Sequence, residues 1–73
     1  MAYVKVPFHI SSNIADAAYD ASAKELLITF LRQGRRYLVH EISADIVEDF
    51  SHARSAGIFY NMYIRDSYEI EEV

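Results

Sequence analysis

Cysteine is absent from this chain, and proline and glycine are nearly so, with one and two copies in 73 residues. The missing cysteine excludes a disulfide framework, a thiolate zinc site and a cysteine nucleophile. The two glycines, Gly34 and Gly57, are too far apart for a phosphate-cradling loop or a dinucleotide fingerprint. With a single proline and no low-complexity run or internal repeat there is no sign of a linker, so residues 1–73 read as one domain. No stretch reaches the ~20 apolar residues of a bilayer span, and the N-terminal segment lacks a charged leader followed by a long apolar run. The expectation is a soluble, cytoplasmic protein with no membrane partner.

Catalytic signatures are missing too. His9, His40 and His52 show no paired metal spacing, and none sits in a recognisable base and nucleophile pattern. Ser11 and Ser12 lack the glycine context of a nucleophile elbow, and Asp16 and Asp20 fall on a strand and its turn rather than facing one another across a site. The chain is read as a non-enzyme, with no metal and no cofactor.

What is present is 52% hydrophobic content in a chain short enough to bury only ~60% of its unfolded surface. Modest stability, or help from an oligomer, is expected. The formal net charge is −4, and its distribution matters more than its total. Residues 66–73 hold Asp66, Glu69, Glu71 and Glu72 and no basic residue, while the remaining seven carboxylates are balanced by seven Lys and Arg. The body is neutral and the tail acidic, and the tail reads as a solvated, frayed end.

Along the chain, "ELLITFL" at 25–31 alternates Leu26, Ile28 and Phe30 with Leu27, Thr29 and Leu31, the pattern of a strand. "RQGR" at 32–35 supplies Gly34 for a positive φ, and "RYLVHEI" resumes an extended pattern, giving a hairpin. Upstream, "NIADAAYD" ends at Asp20 before "ASAK", a longer hairpin loop. From Ser43 the period becomes helical through Ile46, Val47, Phe50 and Ala53, predicting a helix over 44–55. Ser43 is placed as its N-cap, Ile42 and Val47 as a hydrophobic staple, and Gly57 as a left-handed C′ residue. Phe59 with Tyr63 and Tyr60 with Ile64, each four apart, favour a short second helix. The expected fold is α+β: a three-stranded antiparallel meander followed by one amphipathic helix and a short second one. The first helix covers the Leu26, Ile28, Phe30 face; the opposite face, with Leu27, Leu31 and Leu38, is left for the second helix or another subunit.

From Ser11 to Tyr68 the order of residues resembles the KTSC family, a short domain named for the C-terminus of some lysyl-tRNA synthetases and also found free-standing in bacteria and phages. The resemblance is carried by "SSNI" at 11–14, Tyr19 with Asp20, Leu26, Ile28, Phe30, Gly34 and Tyr37, then "ARSAGIFYN" at 53–61 with Ile64, Arg65 and Tyr68. Two positions depart from it: the family's Tyr-x-Tyr stands here as Tyr37-Leu38-Val39, and Ser43 occupies a place where proline is common. The resemblance implies the fold, no established catalytic residues, and RNA binding as a suggestion from the synthetase context.

The candidate ligand-binding residues are Arg35, Arg36, Tyr37, Asn61, Arg65 and Tyr68. Arginine offers a planar fork to phosphate oxygens and tyrosine a stacking surface. Arg32 belongs to the same basic run, and Ser11, Ser12 and Asn13 could extend a polar pocket. Strand alternation places Arg35 and Tyr37 on one face and Arg36 on the other. The bland alternatives are a charged hairpin tip that discourages edge pairing, and a Tyr60 that packs in the core. Two function classes follow. One is a small non-catalytic module binding RNA or a nucleotide-like phosphate ligand. The other is a protein-interaction or assembly protein, such as a small phage-type homo-oligomeric inhibitor or sequestering protein with a protein partner.

Overall fold

The alternation of Leu26 and Ile28 with Leu27 and Thr29 does what it predicts: the first pair is wholly buried and the second only partly. In the computed structural model, which describes residues 3–9 and 11–73, these residues form the centre of a five-stranded antiparallel sheet. The strands are β1 (Val4–Lys5), β2 (Ile14–Asp20), β3 (Glu25–Phe30), β4 (Arg36–Val39) and β5 (Ile70–Glu72), adjacent in chain order. Helix α1 (Ala44–His52) follows β4, and α2 (Ala56–Phe59) runs on into a wider π-helical segment, Tyr60–Ile64.

The α+β class holds, but the expected three strands are five. β1 and β5 are only two and three residues long, too short to show a two-residue period. They exist through pairing: Val4 lies opposite Tyr19, and Ile70 opposite Val39. The acidic tail is therefore not frayed. Its backbone continues the β4 ladder, with the His40 amide donating to the Glu69 carbonyl (2.9 Å) and the Val73 amide to that of Arg36 (3.0 Å).

Turn chemistry sets the hairpins. The Asp20 carboxylate accepts from the Ser22 amide, the Ser22 hydroxyl and the Ala23 amide at 3.1, 2.8 and 3.3 Å, closing the β2–β3 loop. Between β3 and β4 a 3-10 turn at Arg32–Gly34 places both Gln33 (φ 60°) and Gly34 (φ 61°) in the left-handed region. A bulge between Ile14 and Asp16 re-aims the start of β2.

Helix α1 starts where expected, with Ser43 in extended conformation at the N-cap, but the serine side chain makes no capping bond. The helix ends three residues early, and not through Gly57: Ala53 leaves it in extended conformation (φ −65°, ψ 143°). Gly57 instead lies buried inside α2, whose N-cap is Ser55, its hydroxyl accepting from the Ile58 amide at 3.3 Å.

Both helical segments pack on the same face of the sheet. Phe50 of α1 and Ala56, Tyr60 and Ile64 of the second segment share one core with Leu26, Ile28 and Val39. The second helix thus does not cover the outer face. There Ala18, Leu27 and Leu38 line up across three strands, partly shielded by charged neighbours: Lys5 pairs with Asp16 at 3.1 Å, and His40 bridges Glu25 and Glu71.

Candidate functional site

The β3–β4 hairpin turns back over the end of the helical layer, and an open groove of about 690 Å³ lies between them. The hairpin contributes Phe30, Arg32, Gln33, Arg35 and Tyr37; the π-helical turn contributes Tyr60 and Asn61, with Arg65 just past its end; Ile70 of β5 closes one side. Four of the six candidate residues, Arg35, Tyr37, Asn61 and Arg65, meet here although the chain separates them by up to thirty positions. Arg32 joins them.

Strand geometry explains the hairpin half. Tyr37 faces the helices, opposite Ile28, while Arg36 pairs with Thr29 on the outer face and is exposed, outside the groove. The double left-handed turn at Gln33 and Gly34 folds the tip so that Arg32 and Arg35 both reach the groove, Arg35 Nε donating to Gln33 Oε1 at 3.0 Å. The helical half depends on the widened turn. The Arg65 amide donates to the Tyr60 carbonyl at 2.8 Å, an i→i+5 bond. Such a turn stacks residues five apart, so Tyr60 and Arg65 line one groove where an α-helix would splay them.

The aromatic floor is internally packed. Phe30 sits edge-on to Tyr37 (centroids 5.6 Å, 82°) and to Tyr60 (5.3 Å, 71°). Tyr60 is at once core and lining, only 7% exposed, and burial pushes its phenol up, with Tyr37 adding to the effect. The Tyr37 hydroxyl, with Glu72 behind it, pushes the Arg35 guanidinium up, so Arg35 is a permanent cation. No carboxylate lines the groove among the described residues. The arrangement is suited to holding an anion by guanidinium, amide and phenol donors.

Tyr68 does not reach this groove; it packs against the core. Nor do Ser11, Ser12 and Asn13. The Ser11 hydroxyl donates to Asn13 Oδ1 at 2.6 Å and accepts from the Asn13 and Ile14 amides, while the Asn13 carboxamide lies where a side chain on Gly57 would project. Phe30, Gln33 and Ile70 also line the groove, and the sequence pattern does not single them out. Ile70 had no signal, because its place depends on β5.

Elsewhere, a cavity of about 490 Å³ between β1, the end of β2 and α1 is mainly apolar, lined by Val4, Val6, Pro7, Tyr19 and Val47 among others, and holds none of the candidates. His40 meets Glu71 through Nε2 (2.6 Å) and Glu25 through Nδ1 (3.5 Å). Carboxylates on opposite ring nitrogens do not converge on one point, and among the described residues no three such groups could hold a metal ion. Among those residues, no helix is long and apolar enough to cross a membrane.

No curated protein matches the chain significantly. The crystal structure of a KTSC domain protein from Yersinia pestis is similar, with a TM-score of 0.88 and 26% identity over 99% of each chain. The family model for the KTSC domain matches residues 10–68, which span β2 to β4, α1, the π-helical turn and every candidate ligand residue. The five-stranded architecture and the match over most of the sequence agree: this chain belongs to the KTSC domain family.

Proposed function

We propose that the chain is a small non-catalytic binding module for RNA or a nucleotide-like phosphate ligand, held in the arginine groove. One observation carries this reading. Arg32 and Arg35 of the hairpin and Arg65, remote in sequence, line a single concavity that no carboxylate shares among the described residues, in a protein whose overall charge is −4. Clustering three cations costs free energy through their mutual repulsion, and a bound anion offsets that cost. Cytoplasmic residence belongs to the same proposal, since nucleotides and RNA are plentiful there.

The test is calorimetric titration with short RNAs and nucleotides at low salt. Arg35→Ala and Arg65→Ala should each weaken binding by about tenfold, the worth of a charge-assisted hydrogen bond. Arg36→Ala, on the outer face, should change it by less than about twofold. Absence of saturable binding across the panel overturns the proposal.

An assembly role, with a second copy or a protein partner, is the second reading. It is favoured by the uncovered outer face and by apolar exposure on the helical segment, where Ile58, Met62 and Tyr63 are more than half exposed. Light scattering at micromolar concentration should then show a self-associated species; a strict monomer that retains no protein from extract counts against it.

A further inference from the structure

Resting on the phosphate-binding reading above, we infer that the groove recognises a compact ligand by a cluster of two or more phosphates and is indifferent to any base attached to them.

The side chains divide unequally between the two tasks. For phosphate there are three guanidiniums, each presenting a fork of N–H donors, with the Asn61 amide and the tyrosine hydroxyls beside them. For a base there is little. Reading a base edge requires acceptors as well as donors, and among the described residues the groove has no carboxylate; Gln33 Oε1 is already engaged by Arg35 Nε at 3.0 Å, leaving the Asn61 carbonyl as the unengaged amide acceptor. Stacking requires a free aromatic face. Phe30 packs at a steep angle against both Tyr37 and Tyr60, Tyr60 is almost wholly buried, and Phe30 and Tyr37 are partly buried, so little ring face is left open. A single-stranded nucleic-acid platform has the reverse character, with open rings on which successive bases lie.

The surroundings limit the length of the ligand. Asp66 follows Arg65 directly, and Glu72 lies opposite Tyr37 in the sheet and close enough to Arg35 to affect its ionisation. A chain of phosphates leaving the groove on these sides meets carboxylates, whereas a terminal di- or triphosphate stays among the arginines. The groove volume, about 690 Å³, falls within the range of small-ligand sites. Three guanidiniums bring three positive charges, which a di- or triphosphate balances more fully than a single phosphate does.

The experiment is titration calorimetry of the full chain, at low salt, with inorganic phosphate, tripolyphosphate, ATP, GTP, CTP, UTP, adenosine and a short single-stranded RNA bearing a 5′ hydroxyl. Tripolyphosphate and the four nucleotides should bind within about threefold of one another, with adenosine silent and phosphate at least about tenfold weaker. Arg35→Ala and Arg65→Ala should weaken tripolyphosphate and ATP in parallel. Both arginines are exposed, so their thermal melts should match the parent. A spread above about tenfold among the nucleotides, tripolyphosphate that fails where ATP binds, or RNA that binds tighter than ATP would each overturn this inference while leaving phosphate binding intact. Silence from every ligand would overturn the underlying reading as well.

Discussion

Asn13 and Gly57 show how two short stretches of a family pattern can be structural rather than ligand-binding. The first belongs to "SSNI" and the second to "ARSAGIFYN", and the structure sets them against each other. A methyl group on Gly57 would overlap Asn13 Oδ1, with Asn13 Cγ and Nδ2 at 2.9 Å. At an unobstructed helical position, replacing glycine by alanine gains about 0.5–1 kcal/mol. Here Gly57→Ala must displace a carboxamide already fixed by Ser11, and we expect a net loss of about 1 kcal/mol. In an Asn13→Ala background the obstruction is gone, so the same change should become stabilising. Urea denaturation of the four proteins in this cycle measures the coupling; equal effects in both backgrounds would sink the explanation. The sequence marked Gly57 as special but suggested the wrong reason, because a buried close approach and a left-handed cap both select glycine.

At the scale of elements, β5 is held by more than its ladder. The His40 imidazole, at the end of β4, meets Glu71 of β5 and Glu25 of β3, with Glu69 also near; Tyr3 donates to Glu25 at 2.9 Å from the other side. Hydrogen bonding to Glu71 is the main cause of a raised His40 pKa, and desolvation opposes it. A raised value means the folded state binds the proton more tightly than the unfolded chain. The stabilising contribution is therefore complete below about pH 6.5 and is lost as pH rises through the higher folded value. The urea midpoint should fall across that window, and His40→Gln should flatten the fall. Asp20 behaves oppositely: its bond from Ser22 is the main cause of a lowered pKa, so its contribution is present above 3.8 and lost as pH falls through the folded value. Ser22→Ala should shift acid unfolding to higher pH. The central strands and α1 were legible because their side chains alternate or recur with the period of the element. β1 and β5 were not, since each is shorter than the pattern that would announce it; the second helix was legible from its i, i+4 pairs, but its i→i+5 widening was not.

For the whole molecule, the field matters as much as the groove. The tail carboxylates that make the protein acidic are brought by β5 to the edge of the sheet next to β4, and Ile70 from the same strand lines the groove. Neutralising Glu69 and Glu72 as glutamines would change the net charge from −4 to −2 and leave the Glu71–His40 contact untouched. Tripolyphosphate binding should tighten by a factor of about two to five at low salt, and the gain should shrink as the screening length falls to about 8 Å near physiological salt. A gain that persists unchanged at high salt would mean that the field is not its cause. The outer sheet face, which the sequence left open to two kinds of cover, receives no helix among the described residues; Leu27 and Leu38 are nonetheless partly shielded, whereas Ile58, Met62 and Tyr63 stand out.

The sequence by itself determined the α+β class, the central hairpins, the start of α1, the buried Leu26 and Ile28, and the split of Arg35 and Tyr37 from Arg36. These follow from local rules: a side-chain period of two or 3.6 residues, and turn residues that tolerate a left-handed backbone. Only the tertiary structure decided that the acidic tail is a strand, that both helical segments pack on one face, and that Arg65 joins Arg32 and Arg35. Those outcomes depend on register between segments far apart in the chain and on an i→i+5 bond that no periodicity announces. Where contacts are local the pattern of residues suffices; where distant strands must find one another, the deciding energies lie in pairing and packing that no single segment carries.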